Sequence, residues 1–167
     1  MDFAAQYRAH ACPGRRFTAA LASVDARLGV IVGGGPFDVR FFQEKHQKLY
    51  SRLRLAYWRF AFDTMEVEAD VRRVAAMMRA NGLDRHQVMF YCLIGFPGTT
   101  PEECLFRLNS IIELGLTPYP MRFTPLNSLR RNYVATAWTE QLLQRMTAYY
   151  QTPYLWMSDT WENFRPS

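Results

Sequence analysis

The stretch VMFYCLIGFPGTTPEE, residues 88–103, decides the fold. An apolar run breaks at Gly95-Phe-Pro-Gly98, and two threonines, a proline and two glutamates follow. The run is apolar almost throughout, which predicts a strand buried on both faces, as in a parallel sheet with helices outside. The glycines and proline turn the chain. Thr100-Pro-Glu-Glu103 then reads as a capping box, in which hydroxyl and Glu103 satisfy orphan amides reciprocally. The turn serves packing, or it lies at the lip of a sheet where a ligand binds.

Working outward, helices and strands alternate. Upstream, TMEVEADVRRVAAMMRANG reads as a helix over 64–82. Thr64 is its cap, acids fill its early turns, and Val67, Val71, Val74 and Met78 form its stripe. Residues 57–63, YWRFAFD, read as a strand, and FQEKHQKLYSRLRL (42–55) as a helix with Phe42, His46, Leu49 and Leu53 on one face. A short strand, Val30 to Val32, ends in Gly33-Gly-Gly35 and follows a helix bracketed by Pro13 and Gly29. Downstream, helix 100–115 has Pro101 in its first turn and Gly115 at its end. Strand 118–126, a helix over 136–150 and an aromatic tail complete the chain. Alternating units of this kind build a parallel α/β sheet through right-handed crossovers. Four strands are too few for a closed eight-stranded barrel and enough for an open or half barrel. The organisation is an α/β body over 1–127, and a C-terminal helix and aromatic tail over 128–167 that pack on it.

Bulk properties agree with one ordered domain. The 167 residues are 49% hydrophobic and 21% charged, which excludes global disorder. A net charge of +5 suits nucleic acid, phosphorylated small molecules or no particular partner. Cys12, Cys92 and Cys104 form no CxxC, so neither a disulfide framework nor a zinc site is indicated, and a reduced cytoplasmic setting is the simplest expectation. No segment has the length and apolarity of a membrane span or a signal peptide.

Ligands of parallel α/β folds gather at strand carboxyl ends. Gly33–Gly35, Asp63, Gly95–Gly98 and Arg122–Pro125 would share one rim. Each has a plain alternative: the glycines turn the chain, Asp63 accepts amides at the next helix start, and Arg122 pairs with Asp63 or Asp38. Cys92 and Cys104 read as core thiols. Lys45, Lys48, Arg52 and Arg54 form a solvated helix face or meet a phosphate backbone. Tyr149, Tyr150, Tyr154, Trp156 and Trp161 stack bases or cover a sheet edge.

The strings HACPGRRFTAAL, WRFAFDT, VMFYCLIGFPGTTPEECLFRL and LGLTPYPMRFTPL, in this order, resemble the radical S-adenosylmethionine (SAM) superfamily, more narrowly its iron–sulfur oxidoreductase-like group. The resemblance spans about residues 10–127, and FYCLIGFPGTTPEE is its most specific part. It implies a partial (β/α) barrel binding SAM and a 4Fe–4S cluster at its strand tips. Leu93, Ile94 and Gly95 would line the adenine, Asp63 would approach the ribose or substrate, and Arg122 the SAM carboxylate or substrate. The family's CxxxCxxC loop is missing, and Cys12, Cys92 and Cys104 cannot replace it. The expectation is therefore a fragment or truncated member, the C-terminal two-thirds of such a barrel, inactive alone, with the CxxxCxxC part lost or encoded as a separate polypeptide. The alternatives are a degenerate SAM-fold binding protein and a basic α/β module that meets RNA or a protein. Apolar surface near residues 15–35 is expected to promote association.

Overall fold

The computed structural model describes residues 31–32, 36–127 and 132–165. The expected first helix, Cys12, the triple glycine and most of the apolar 15–35 edge lie outside these residues. The elements are β1 (Ile31–Val32), α1 (Glu44–Tyr50), β2 (Arg54–Leu55), β3 (Trp58–Ala61), a 3-10 turn (Met65–Val67), α2 (Glu68–Ala80), β4 (Val88–Ile94), α3 (Pro101–Glu113), β5 (Thr117–Arg122), α4 (Glu140–Tyr150) and α5 (Pro153–Ser158). β3, β4 and β5 form an open three-stranded parallel sheet in sequence order, while β1 and β2 pair separately. The fold is α/β with alternating strands and helices. The predicted helix 42–55 is shorter than its apolar spacing suggested, because Arg54 and Leu55 extend to pair in parallel with Ile31 and Val32.

The helices cover one face of the sheet. On that face Phe60, Val88, Phe90, Cys92 and Ile94 are fully buried. They join one core with Val71, Val74 and Met78 of α2, Leu108 and Ile111 of α3, and Leu143 and Met146 of α4. Successive right-handed crossovers in strand order place their helices on the same side, which accounts for this layering. The opposite face carries Ala61, Tyr91, Leu93 and Tyr119, all half-buried, and Met121, which is 44% exposed. The expectation that β4 is buried on both faces is therefore corrected. Its residues alternate between covered and half-covered, because among the described residues only one layer of helices packs on the sheet.

The two sheet edges differ. Phe123 N–H donates to Ile94 O at 2.9 Å, so odd-numbered residues of β5 face β4 and even-numbered ones face outward. Pro118 and Pro120 are thus outward, without an N–H to offer. The outward carbonyl of Pro120 accepts from Gln151 Nε2 at 3.0 Å. This edge is closed to further pairing. On the other edge Phe37 N–H donates to Arg59 O at 2.7 Å and Phe37 bridges Phe60 in parallel, so the sheet continues there. Arg73 of α2 fastens that segment by donating to Val39 O at 2.7 Å and Phe42 O at 2.8 Å.

The C-terminal aromatics pack on α4. Tyr149 meets Tyr150 edge-on with centroids 4.8 Å apart, Trp161 stacks on Tyr150 at 5.9 Å, and the Arg145 guanidinium lies 4.1 Å over Trp161. Tyr150 Oη donates to Asn109 Oδ1 at 2.6 Å, tying α4 to α3.

Gly95 explains half of the opening motif. Its φ of +74° lies in the left-handed region, and a Cβ there would sit 2.9 Å from Leu143 Cδ2 of α4. Gly98, at φ +86°, has open space around the same position. Both Gly→Ala changes incur a backbone penalty of about 1–2 kcal/mol. Gly95→Ala is expected to cost roughly 1 kcal/mol more than Gly98→Ala, because Leu143 must move within a packed core. Urea denaturation checks this; equal losses would remove α4 packing as the reason for Gly95.

Candidate functional site

The carboxyl ends of β3 and β4 meet where a regular parallel ladder stops. Phe62 N–H still donates to Tyr91 O at 2.8 Å. The next rungs of an ideal ladder would join Leu93 N–H to Phe62 O and Thr64 N–H to Leu93 O. Side chains take over instead. Leu93 N–H donates to Asp63 Oδ1 at 2.9 Å. Arg107 of α3 donates from Nη1 to Phe62 O at 2.7 Å and from Nη2 to Leu93 O at 3.2 Å. Chain direction can therefore change at Asp63 without leaving these buried backbone groups unpaired.

Arg107 is fully buried. Its Nη2 also contacts Cys104 Sγ at 2.8 Å, and its Nε is buried without an acceptor. Asp63 is half-buried. Desolvation pushes its carboxyl above the ordinary carboxylate value, against the opposing pull of the Leu93 amide and the Arg107 charge. Burial likewise pushes up the thiols of Cys92 and Cys104, keeping both protonated.

Of the residues expected at the rim, Asp63 and Leu93 are brought into direct contact. Ile94 is fully buried on the helix-covered face, so its side chain serves the core. Gly95 packs under Leu143. Arg122 lies beside Ile94 in register, but its guanidinium turns to α4 and forks onto Glu140, with Nη1 to Oε1 at 2.6 Å and Nη2 to Oε2 at 2.5 Å. It also donates to Tyr133 O at 3.0 Å. The structural alternative for Arg122, pairing with Asp63 or Asp38, holds in kind but not in partner: the partner is Glu140, and Asp38 pairs with Arg40 at 2.6 Å. Phe96, Phe123 and Tyr133 line the rim beyond, with centroids 4.9 and 5.4 Å apart.

The described residues do not fit a 4Fe–4S cluster. Cys92 is fully buried on the helix-covered face, and Cys104 packs behind the sheet against Arg107. Neither presents a thiolate at the rim, and among the described residues no three His, Cys, Asp or Glu side chains converge on a metal position. Cys12 lies outside the described residues. On α1, Lys48 pairs with Glu44 at 2.8 Å and both remain well exposed, which is a solvated helix face.

Arg107 was missed in the sequence. A signal was present: with Cys104 and Leu108 it falls at positions i, i+3 and i+4, on the apolar stripe of α3. A cation on that stripe has to find carbonyls or a carboxylate inside.

No family model matches the chain, and no curated protein or solved structure matches it.

The raised Asp63 carboxyl fixes the sign of a pH effect. Above the ordinary carboxylate value the unfolded chain has lost this proton while the folded chain retains it. Asp63 therefore subtracts stability as pH rises through its folded value, and the penalty vanishes below the unfolded value. Asp63→Asn keeps an oxygen for Leu93 N–H and removes the charge. Its stability relative to the parent chain is expected to increase from about pH 3 to about pH 7. Paired urea titrations measure it; a gain that is flat or falls with pH would contradict the desolvated carboxylate.

Proposed function

We propose that this chain is part of a radical SAM-type barrel of the iron–sulfur oxidoreductase-like kind, contributing the strand ends that meet the adenosyl group. In this reading it does not cleave SAM alone. It acts with a polypeptide that carries three cluster thiolates, because its own described cysteines are turned into the core. One observation carries the reading: Asp63 and Leu93, 30 residues apart, are joined at the ends of adjacent parallel strands beside the half-covered sheet face. A half-buried carboxylate next to an apolar side chain suits a ribose hydroxyl beside an adenine ring.

The edges support the same reading. The proline edge of β5 suits the last strand of an incomplete barrel, and the edge of β3 is where further parallel strands would join. When bound, SAM and the cluster would supply the radical chemistry; this chain would bind and orient the adenosyl part.

A second reading draws on Gly95 and Arg122. Both are engaged by α4, through Leu143 and Glu140. That engagement favours a degenerate, non-catalytic relative in which the strand ends persist as packing. Isothermal calorimetry with SAM separates the two readings. The first expects saturable binding that Asp63→Ala weakens at least about tenfold, and iron uptake under anaerobic reconstitution only when a CxxxCxxC polypeptide is supplied. Absence of SAM binding with and without that polypeptide would overturn it and leave the second.

A further inference from the structure

A second concavity lies at the opposite end of the sheet, remote from the strand-end rim. Its volume is about 510 Å³, within the range of small-molecule pockets. Arg79 in the last turn of α2, the turn Asp84–His86 that leads into β4, and Trp156 and Met157 of α5 form its walls. Ile112 in the last turn of α3 gives it an apolar floor, with the fully buried Leu116 beneath.

The turn is preformed. Asp84 Oδ1 accepts His86 N–H at 2.8 Å, Asp84 O accepts Gln87 N–H at 3.0 Å and Val88 N–H at 2.9 Å, and Arg85 O accepts Thr117 Oγ1 at 2.7 Å. The backbone that carries Arg85 and His86 is therefore fixed on β4 and β5. Their side chains hydrogen-bond to nothing among the described residues. Trp156 Nε1 is buried without an acceptor. Arg79 Nη1 donates to Leu114 O at 3.2 Å, which explains one corner of its guanidinium as cover for a helix end and leaves the rest of the fork.

Donors thus outnumber acceptors in this concavity. Two guanidinium groups and an imidazole line it with one carboxylate, Asp84, which already accepts from the backbone, and the buried Trp156 N–H adds a donor without an acceptor. Arginine forks match phosphate oxygens, and an indole wall over an aliphatic floor matches a planar ring. The geometry points to a binding site for a phosphate monoester carrying a planar ring, with the phosphate between Arg85, His86 and Arg79 and the ring against Trp156 and Ile112. This site is independent of the strand-end reading.

Calorimetry with 1-naphthyl phosphate tests it, because this probe contains no adenine and does not address the strand-end rim. Saturable binding is expected, weakened at least about tenfold by Arg85→Glu and by His86→Ala. 1-Naphthol alone and inorganic phosphate alone are each expected to bind at least about tenfold more weakly than the ester, since each offers one half of the match. Both substitutions lie on a surface turn, and far-UV circular dichroism confirms that the variants fold. Absence of binding by the ester, binding unchanged in Arg85→Glu, or equally tight binding of 1-naphthol would overturn the proposal.

Discussion

The two backbone groups of Leu93 hold the ends of the sheet together. Its N–H is taken by Asp63 and its carbonyl by Arg107, which also holds Phe62 O. One residue therefore links the end of β3, the end of β4 and the middle of α3. A buried arginine bonded to neutral carbonyls is costly to desolvate, and removing it would leave Phe62 O and Leu93 O without their donor, at about 1–3 kcal/mol for each buried group left unsatisfied. The arrangement persists because the alternative leaves backbone groups unpaired inside the core. What the sheet presents at its carboxyl rim follows from it: the ladder ends there, and the chain leaves toward α2 and the Gly95 turn.

Around that junction the sheet is asymmetric in two respects. One face is covered by α2, α3 and α4, and the other is half-covered among the described residues. One edge is closed by Pro118, Pro120 and the Gln151 contact, and the other continues through Phe37. Both asymmetries arise from local sequence, the first from the alternation along β4 and the second from two prolines placed two residues apart. Together they set where additional strands fit and where they do not.

Much of this was legible because it rests on local chemistry. Strand–turn–helix order, the Gly95 turn and the start of α3 follow from apolar runs and turn residues. Thr100 Oγ1 accepts Glu103 N–H at 3.2 Å, which is the forward half of the expected box. Thr64 makes no such bond, because a 3-10 turn precedes α2 and displaces its start to Glu68. Helix α5 is not legible in the sequence, since six residues beginning at Pro153 carry too little periodicity to register. Partners across long separations were the least legible. Asp63 and Arg122 were placed at the rim, but nothing local tells Arg122 to choose Glu140. Arg107 stands on the apolar stripe of α3, which points it inward, but the carbonyls that receive it, Phe62 O and Leu93 O, lie 45 and 14 residues away and nothing local names them.

The most direct test of this account is a double-mutant cycle between Asp63→Ala, which removes the acceptor of Leu93 N–H, and Arg107→Met, read by urea denaturation at neutral pH. If both side chains hold the Leu93 junction as one unit, the double change will depart from the sum of the single changes by at least about 1 kcal/mol. Additivity within about 0.3 kcal/mol would mean that the two side chains act independently and that the junction does not organise the strand ends.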